Sequence, residues 1–168
     1  VPVFLEQIRT GGPVTLTSGS MTRFVMSIDE AISLLLESIS IARGGEIFVT
    51  KMYSIMVKDL AQVMIDQLAT DPDDGGNTIE VVEIGERPGE KRFEELMNSE
   101  EVRRSVELER HYVILPALTD LYSITPLKYP GLKDTKIDDP YNSSMVEHLS
   151  QEKLKSYLNR IGMWSSVT

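Results

Sequence analysis

Six apolar side chains between Val57 and Leu68 set the strongest constraint on the fold. Val57, Leu60, Ala61, Met64, Ile65 and Leu68 recur at i, i+3, i+4, i+7, i+8 and i+11, which places them on one face of an α-helix. A helix with one apolar face needs a second layer to cover it, and the flanking sequence offers helices and strands for that role. Val1 to Arg9 carries Phe4, Leu5 and Ile8 at helical spacing and is stopped by Gly11-Gly12. Pro13 to Thr17 reads as a short strand. Ser27 and Glu30 have the spacing of a capping box, opening an apolar helix through Ile32, Leu35, Leu36 and Ile39 that Gly44-Gly45 ends. Glu46 to Thr50 reads as a buried strand, Thr78 to Ile84 as another, Lys91 to Met97 as a helix, and Tyr112 to Leu115 as a strand closed by Pro116. Ser150 caps a last helix with Leu154, Tyr157, Leu158 and Ile161, and Gly162 lies at its end. This alternation predicts an α/β fold. Four or five short strands are too few to close a parallel sheet alone, which points to a partner domain. Residues 1–116 form the first unit. Residues 117–168 form an extension whose opening, from Ala117 to about Val146, is rich in Pro, Tyr, Asp and Lys without period.

A chain of 168 residues with 41% hydrophobic and 26% charged content is that of a soluble globular domain. The net charge of −9 argues against nucleic-acid and membrane-surface binding. No apolar run approaches the ~20 residues of a membrane span, and no secretory signal opens the sequence. Cysteine is absent, which removes disulfides and thiolate metal sites and fits a reducing, cytoplasmic setting. The chain starts Val1-Pro2-Val3-Phe4, without methionine and already in structured-looking sequence, as the carboxyl-terminal part of a longer protein would.

Most residues that look chemical have a plainer reading. Asp71, Asp73 and Gly76 imitate the start of a calcium loop, but Val82 stands where the bidentate acid belongs. His111 and His148 lie far apart and read as packing residues, and Asn142-Ser143-Ser144 is a sequon only by pattern. No phosphate loop, G-x-G-x-x-G or serine elbow is present, and the eight methionines read as core filler. Two arginines remain. Arg23 precedes the capped helix, and by itself reads as a surface arginine ahead of an N-cap. Arg87 stands in Ile84-Gly-Glu-Arg-Pro-Gly-Glu-Lys91, where Pro88 favours an extended Arg87 and Gly89 permits a tight turn. A helix starting near Glu90 and Lys91 would present free N–H groups to an anion. Arg87 would supply a planar fork for phosphate oxygens, and Glu90 could accept both hydroxyls of a ribose. The same residues also suit a surface Arg–Glu pair in a strand-to-helix turn, and the residues alone favour neither reading.

In their order and spacing, "MTRFVMSIDEAISLLLESI", "GGEIFVTKM", "IGERPGEKRFEELM" and "HYVILP" resemble polysaccharide-biosynthesis proteins of the extended short-chain dehydrogenase/reductase type. The pattern is most similar to the inverting UDP-N-acetylglucosamine 4,6-dehydratase group, and "DPYNSSMVEHLSQEKLKSYL" resembles the carboxyl-terminal extension of that group. The resemblance implies an α/β chain that is the substrate-binding part of an extended Rossmann-fold enzyme. Glu46 to Val49 would be a strand of the nucleotide-binding sheet, and the capped helix would pack on that sheet. It implies that Arg87 and Glu90 hold the phosphate and ribose of a UDP-sugar, that Arg23 touches the diphosphate, and that Val14 or Leu16 lies along the uracil. NADP or NAD would be bound by an amino-terminal part absent from this chain. The Tyr-x-x-x-Lys pair is expected there too, with none in this chain, which would therefore carry no catalytic residue. The parent reaction would take hydride from C4 of the hexose, expel water across C5–C6 and return hydride to C6. A UDP-sugar 4-epimerase shares the first step, and a non-catalytic UDP-sugar-binding domain would share the site. The family also implies a homo-oligomer, with the Asp120 to Asp139 stretch as a candidate contact.

Overall fold

A computed structural model describes residues 1–69, 79–117 and 129–166. The calcium-like loop at Asp71 to Gly76 lies outside the described residues, as does part of the Asp120 to Asp139 stretch. The elements in chain order are α1 (Pro2–Arg9), β1 (Val14–Leu16), β2 (Thr22–Val25), α2 (Ile28–Ile41), β3 (Ile47–Thr50), β4 (Tyr53–Met56), α3 (Val57–Leu68) and β5 (Val81–Glu83). They continue with β6 (Glu95–Met97), α4 (Ser99–Val102), β7 (Ser105–Glu107), β8 (His111–Ile114), β9 (Tyr141–Asn142) and α5 (Gln151–Arg160), and a short 3₁₀ turn follows at Met163–Ser166. The α/β class expected from the alternating signals holds. The strands form small separate sheets: β1 beside β5 in parallel, and the pairs β2 with β4, β6 with β9, and β3-β8-β7 antiparallel.

The apolar face of α3 organises the main core. Leu60, Ala61, Met64 and Ile65 are buried against Ile8 of α1, Val14 of β1, Ile55 of β4, and Leu154 and Leu158 of α5. Ser150 caps α5 by accepting the Lys153 N–H at 3.3 Å, so the carboxyl-terminal helix is set locally and then packed centrally. A second core joins Val49, Met97, Val102, Ile114 and Tyr141, with Phe24 stacked on Tyr141 at 4.9 Å between ring centroids.

Three expectations require correction. First, α2 forms behind its capping box, with Ser27 accepting the Glu30 N–H at 3.1 Å and Glu30 accepting the Ser27 N–H at 2.8 Å. Among the described residues no sheet covers it, however. Leu34 is its one buried residue, while Ile28 is 78%, Leu36 62% and Ile39 64% exposed. Second, the strand read as buried, β3, pairs antiparallel with β8 at a sheet edge, and Ile47 is exposed. Third, Lys91 to Met97 is not helical. Its carbonyls and N–H groups are taken by distant partners, Thr22 N–H to Arg92 O at 2.9 Å and Ser143 N–H to Glu94 O at 2.8 Å, and β6 then pairs with β9. These tertiary hydrogen bonds override the local preference of a Lys/Arg/Glu-rich segment for helix.

The end of β3 is tied to β7 through Glu107, which accepts from Lys51, from Lys133 at 3.0 Å and from Thr135 at 2.7 Å. Burial works against its charge, but the hydrogen bonds from Lys51, Thr135 and Lys133 outweigh it and hold the carboxyl at about 2. With an ordinary value of 4.5, this depressed pKa contributes stability above pH 4.5 that is lost as pH falls toward 2. Glu107→Gln should lower stability at neutral pH and flatten the acid limb of the unfolding midpoint across that window, and parallel limbs for the two proteins would refute the assignment. Leu154→Ala, at a fully buried position, should cost about 2–5 kcal/mol in urea unfolding. A loss under about 1 kcal/mol would mean that α5 is not part of the core.

Candidate functional site

The parallel pairing of β1 with β5 brings two loops together. Past the strands the ladder continues, with Ile84 N–H donating to Leu16 O at 2.8 Å, so the segment from Ile84 onward leaves beside Thr17. The chain reverses at Arg87 to Glu90, with Glu90 N–H donating to Arg87 O at 3.1 Å. Pro88 fits the first corner, and Gly89 takes the second at φ +84°, the pattern of a type II turn. Thr17 then donates its hydroxyl to Glu90 Oε1 at 3.1 Å, and the Arg87 N–H approaches Oε2 at 3.4 Å. The Glu90 carboxylate is thereby oriented from β1 and from its own turn.

The segment from Lys91 to Glu94 returns across β2 and meets Arg23. Nη1 of Arg23 donates to Thr22 O at 2.7 Å and to Arg92 O at 3.3 Å, and Nη2 donates to Lys91 O at 3.0 Å. Nε lies 3.8 Å from Glu94 Oε1, whose other oxygen accepts the Phe24 N–H at 3.0 Å. Three of the guanidinium's five N–H groups are thus committed to carbonyls. A second N–H on Nη2 has no described partner. Between these elements lies a cavity of about 430 Å³, lined by Leu16, Thr17, Arg23, Phe24, Glu90 and Glu94 above an apolar floor that includes Met21 and Ile55.

The structure therefore brings together Arg23, Glu90 and Leu16. Val14, two residues before Leu16, is fully buried in the core and its side chain does not line the cavity. Arg87 lies outside the lining, exposed in the turn, and its guanidinium has no described partner. Lys91 starts no helix, so the helix N-terminus expected there is absent, and Arg23 is the one cationic side chain among the residues that line the cavity. Thr17 and Glu94 are site residues that the sequence reading missed. Each acts through a hydrogen bond to a distant segment, and no local signal marks them.

One spacing contradicts the expectation that the chain lacks Tyr-x-x-x-Lys, since Tyr129-Pro-Gly-Leu-Lys133 has it. The structure does not make it a catalytic pair. Such a pair works when both side chains share one helix face. Here Tyr129 is buried against Leu108 and Val113 at a turn, and Lys133 is held by Glu107. The histidines are packing residues. His111 is buried edge-on against Phe48, where burial lowers its pKa, and His148 Nδ1 lies 3.1 Å from the Ser54 hydroxyl. Among the described residues no group of three or more metal-ligating side chains converges, and no helix is long and apolar enough to cross a membrane.

Comparison with known proteins gives a consistent set of similarities. The family model described as polysaccharide biosynthesis protein matches residues 1–116. The chain is 44% identical over 161 residues to an uncharacterised membrane protein of Methanocaldococcus jannaschii, covering 96% of this chain and 45% of that one. It is 35% identical over 161 residues to the capsular polysaccharide biosynthesis protein CapD of Staphylococcus aureus, covering 95% of this chain and 24% of that one. It is 32% identical over 158 residues to the UDP-glucose 4-epimerase of Rickettsia canadensis, covering 94% and 44%. Among solved structures, Pen from Bacillus thuringiensis matches with a TM-score of 0.74 at 32% identity, covering 95% of this chain and 43% of that one. The chain spans less than half the length of each of these proteins.

Proposed function

Because the chain belongs to the polysaccharide biosynthesis protein family, we propose that it is the UDP-sugar-binding part of a nucleotide-sugar enzyme, a UDP-N-acetylglucosamine 4,6-dehydratase of polysaccharide or glycan biosynthesis. The observation that carries this reading is the meeting of Arg23 and Glu90 in one cavity from segments far apart in sequence. Glu90, a two-oxygen acceptor already oriented by Thr17, suits adjacent hydroxyls of a pentose. Arg23 directs its uncommitted N–H toward an anionic oxygen from a bed of carbonyls. Arg87 at the rim is free to close on the pyrophosphate, and Leu16 gives the base an apolar edge.

In this reading the chain binds and orients the sugar nucleotide. A nicotinamide cofactor would supply the hydride chemistry at C4. The residues present do not fit such a dinucleotide, since the sequence has no Gly-rich turn joining a strand to a helix. Binding contributes to rate by positioning alone. A cytoplasmic location and assembly with further copies of the same protein belong to the same proposal.

The UDP-glucose 4-epimerase relative favours a second reading, because an epimerase must hold the same UDP group. Product analysis with the full-length protein separates the two. Loss of water from UDP-N-acetylglucosamine, read by mass spectrometry, is the expected result. Interconversion of UDP-sugars without a change of mass would make it an epimerase, and no turnover at all would leave a binding domain. Tyr129→Phe should keep turnover within about twofold, as expected for a group with no part in the chemistry, and a collapse of kcat would reinstate the Tyr129–Lys133 pair. Arg87→Ala should weaken UDP binding by about 2 kcal/mol in calorimetry. Unchanged affinity would remove Arg87 from the site.

A further inference from the structure

Ser143 does not line the cavity, yet it is bonded to both segments that build it. Its side chain is fully buried, and its hydroxyl lies 2.8 Å from the Thr22 hydroxyl of β2 while accepting the Glu94 N–H at 3.0 Å. Its own N–H donates to Glu94 O at 2.8 Å. Its carbonyl accepts the Ser54 hydroxyl of β4 at 2.6 Å. One residue of the carboxyl-terminal segment therefore fastens β2, the strand that carries Arg23, to the segment Arg92 to Glu94 on which the guanidinium rests.

We propose that Ser143 is a positioning residue for Arg23, and through it for binding of a nucleotide diphosphate, a role that rests on the function proposed above. The physical basis is the commitment of Arg23 to carbonyls of a segment with no regular structure of its own. From Lys91 to Glu94 the backbone belongs to no helix or strand, so its place is set by hydrogen bonds to Thr22, Arg23, Phe24 and Ser143. The Ser143 hydroxyl is the shared member, bonding β2 and the segment at once. Without it the Glu94 N–H and the Thr22 hydroxyl are buried with one partner fewer, and the cheapest repair is for the segment to move away from β2. Arg23 would then lose the bed that fixes its free N–H in the cavity. The extension that begins after Pro116 thereby takes part in the nucleotide site without touching the nucleotide.

A double-mutant cycle read by titrating UDP into the full-length protein tests this. Ser143→Ala should weaken UDP binding about fivefold, as for one buried hydrogen bond. The same change made in an Arg23→Ala background should alter affinity by less than about twofold, because its effect passes through Arg23. Thr22→Val breaks the same contact from the β2 side at nearly constant volume. It should reproduce both results, and it gives the answer if Ser143→Ala fails to fold. Wild-type affinity in these variants, or an equal loss with and without Arg23, would overturn the assignment and leave Ser143 a packing residue. That result is distinct from failure of the nucleotide reading. If the wild-type protein takes up no UDP, or Arg23→Ala binds it unchanged, both proposals fall.

Discussion

The candidate site depends on one guanidinium lying across two backbone carbonyls. Arg23 stands on β2, and the carbonyls of Lys91 and Arg92 belong to a segment that enters from β5 and leaves into β6. The contact satisfies acceptors that a helix would have used internally, and so explains why this segment is extended. It also sets the height of Glu90, because the turn at Pro88-Gly89 is held between the β1–β5 ladder on one side and this contact on the other. Cavity wall, turn and cation are therefore one mechanical unit, though their residues come from three places in the chain.

Burial is uneven across the molecule. The face of α3 is closed by α1, β1, β4 and α5. The opposite case is α2, whose Ile28, Ile32, Leu35, Leu36 and Ile39 form an exposed ridge at helical spacing. Each large aliphatic left in water forgoes about 1.5–3 kcal/mol of transfer free energy, and the five side chains form the longest such ridge on any one described helix. Among the described residues, polar contacts hold α2 in place. Glu30 at its start accepts the Tyr157 hydroxyl at 2.7 Å and pairs with Arg160 at 3.0 Å, and Glu37 pairs with Arg110 at 2.8 Å.

How much of this was legible in the sequence follows from the range of the interactions involved. The boundaries of α1, α2, α3 and α5 follow closely from periodicity and from Ser27 and Ser150, because capping and amphipathicity act within a few residues. The Arg87 to Glu90 turn was legible for the same reason. By contrast β2, β4, β6, β7 and β9 left no usable sign. Each is four residues or shorter and exists through a partner elsewhere in the chain, and the segment at Lys91, rich in helix formers, pointed the wrong way. Within the site, Arg23 and Glu90 were visible as charge types, whereas Thr17, Glu94 and Ser143 gain meaning only from contacts between distant segments. Val14 shows the converse, since it was legible as a strand residue but its side chain is buried in the core and does not line the cavity. Val14 and Leu16 are both buried on one side of β1, and Leu16 lines the cavity together with Thr15.

The acidic balance of the chain does not contradict an anion-binding role, because the acids around the cavity are already engaged. Glu83 accepts the Gly19 N–H, Glu86 pairs with Arg92 at 2.6 Å, Glu90 is held by Thr17, and Glu94 accepts the Phe24 N–H. A carboxylate accepting hydrogen bonds in this way projects less field into a neighbouring cavity than a free one, and charges beyond about 10 Å are screened at ordinary salt. Under the proposed function Arg23 and Arg87 would act on a phosphate at contact distance, where a guanidinium is strong, while the net charge of −9 would act mainly on approach. Among the residues that line the cavity, Arg23 stands beside the carboxylates of Glu90 and Glu94. The affinity proposed for a pyrophosphate would then depend on the position of two guanidinium groups more than on the total of charges around them.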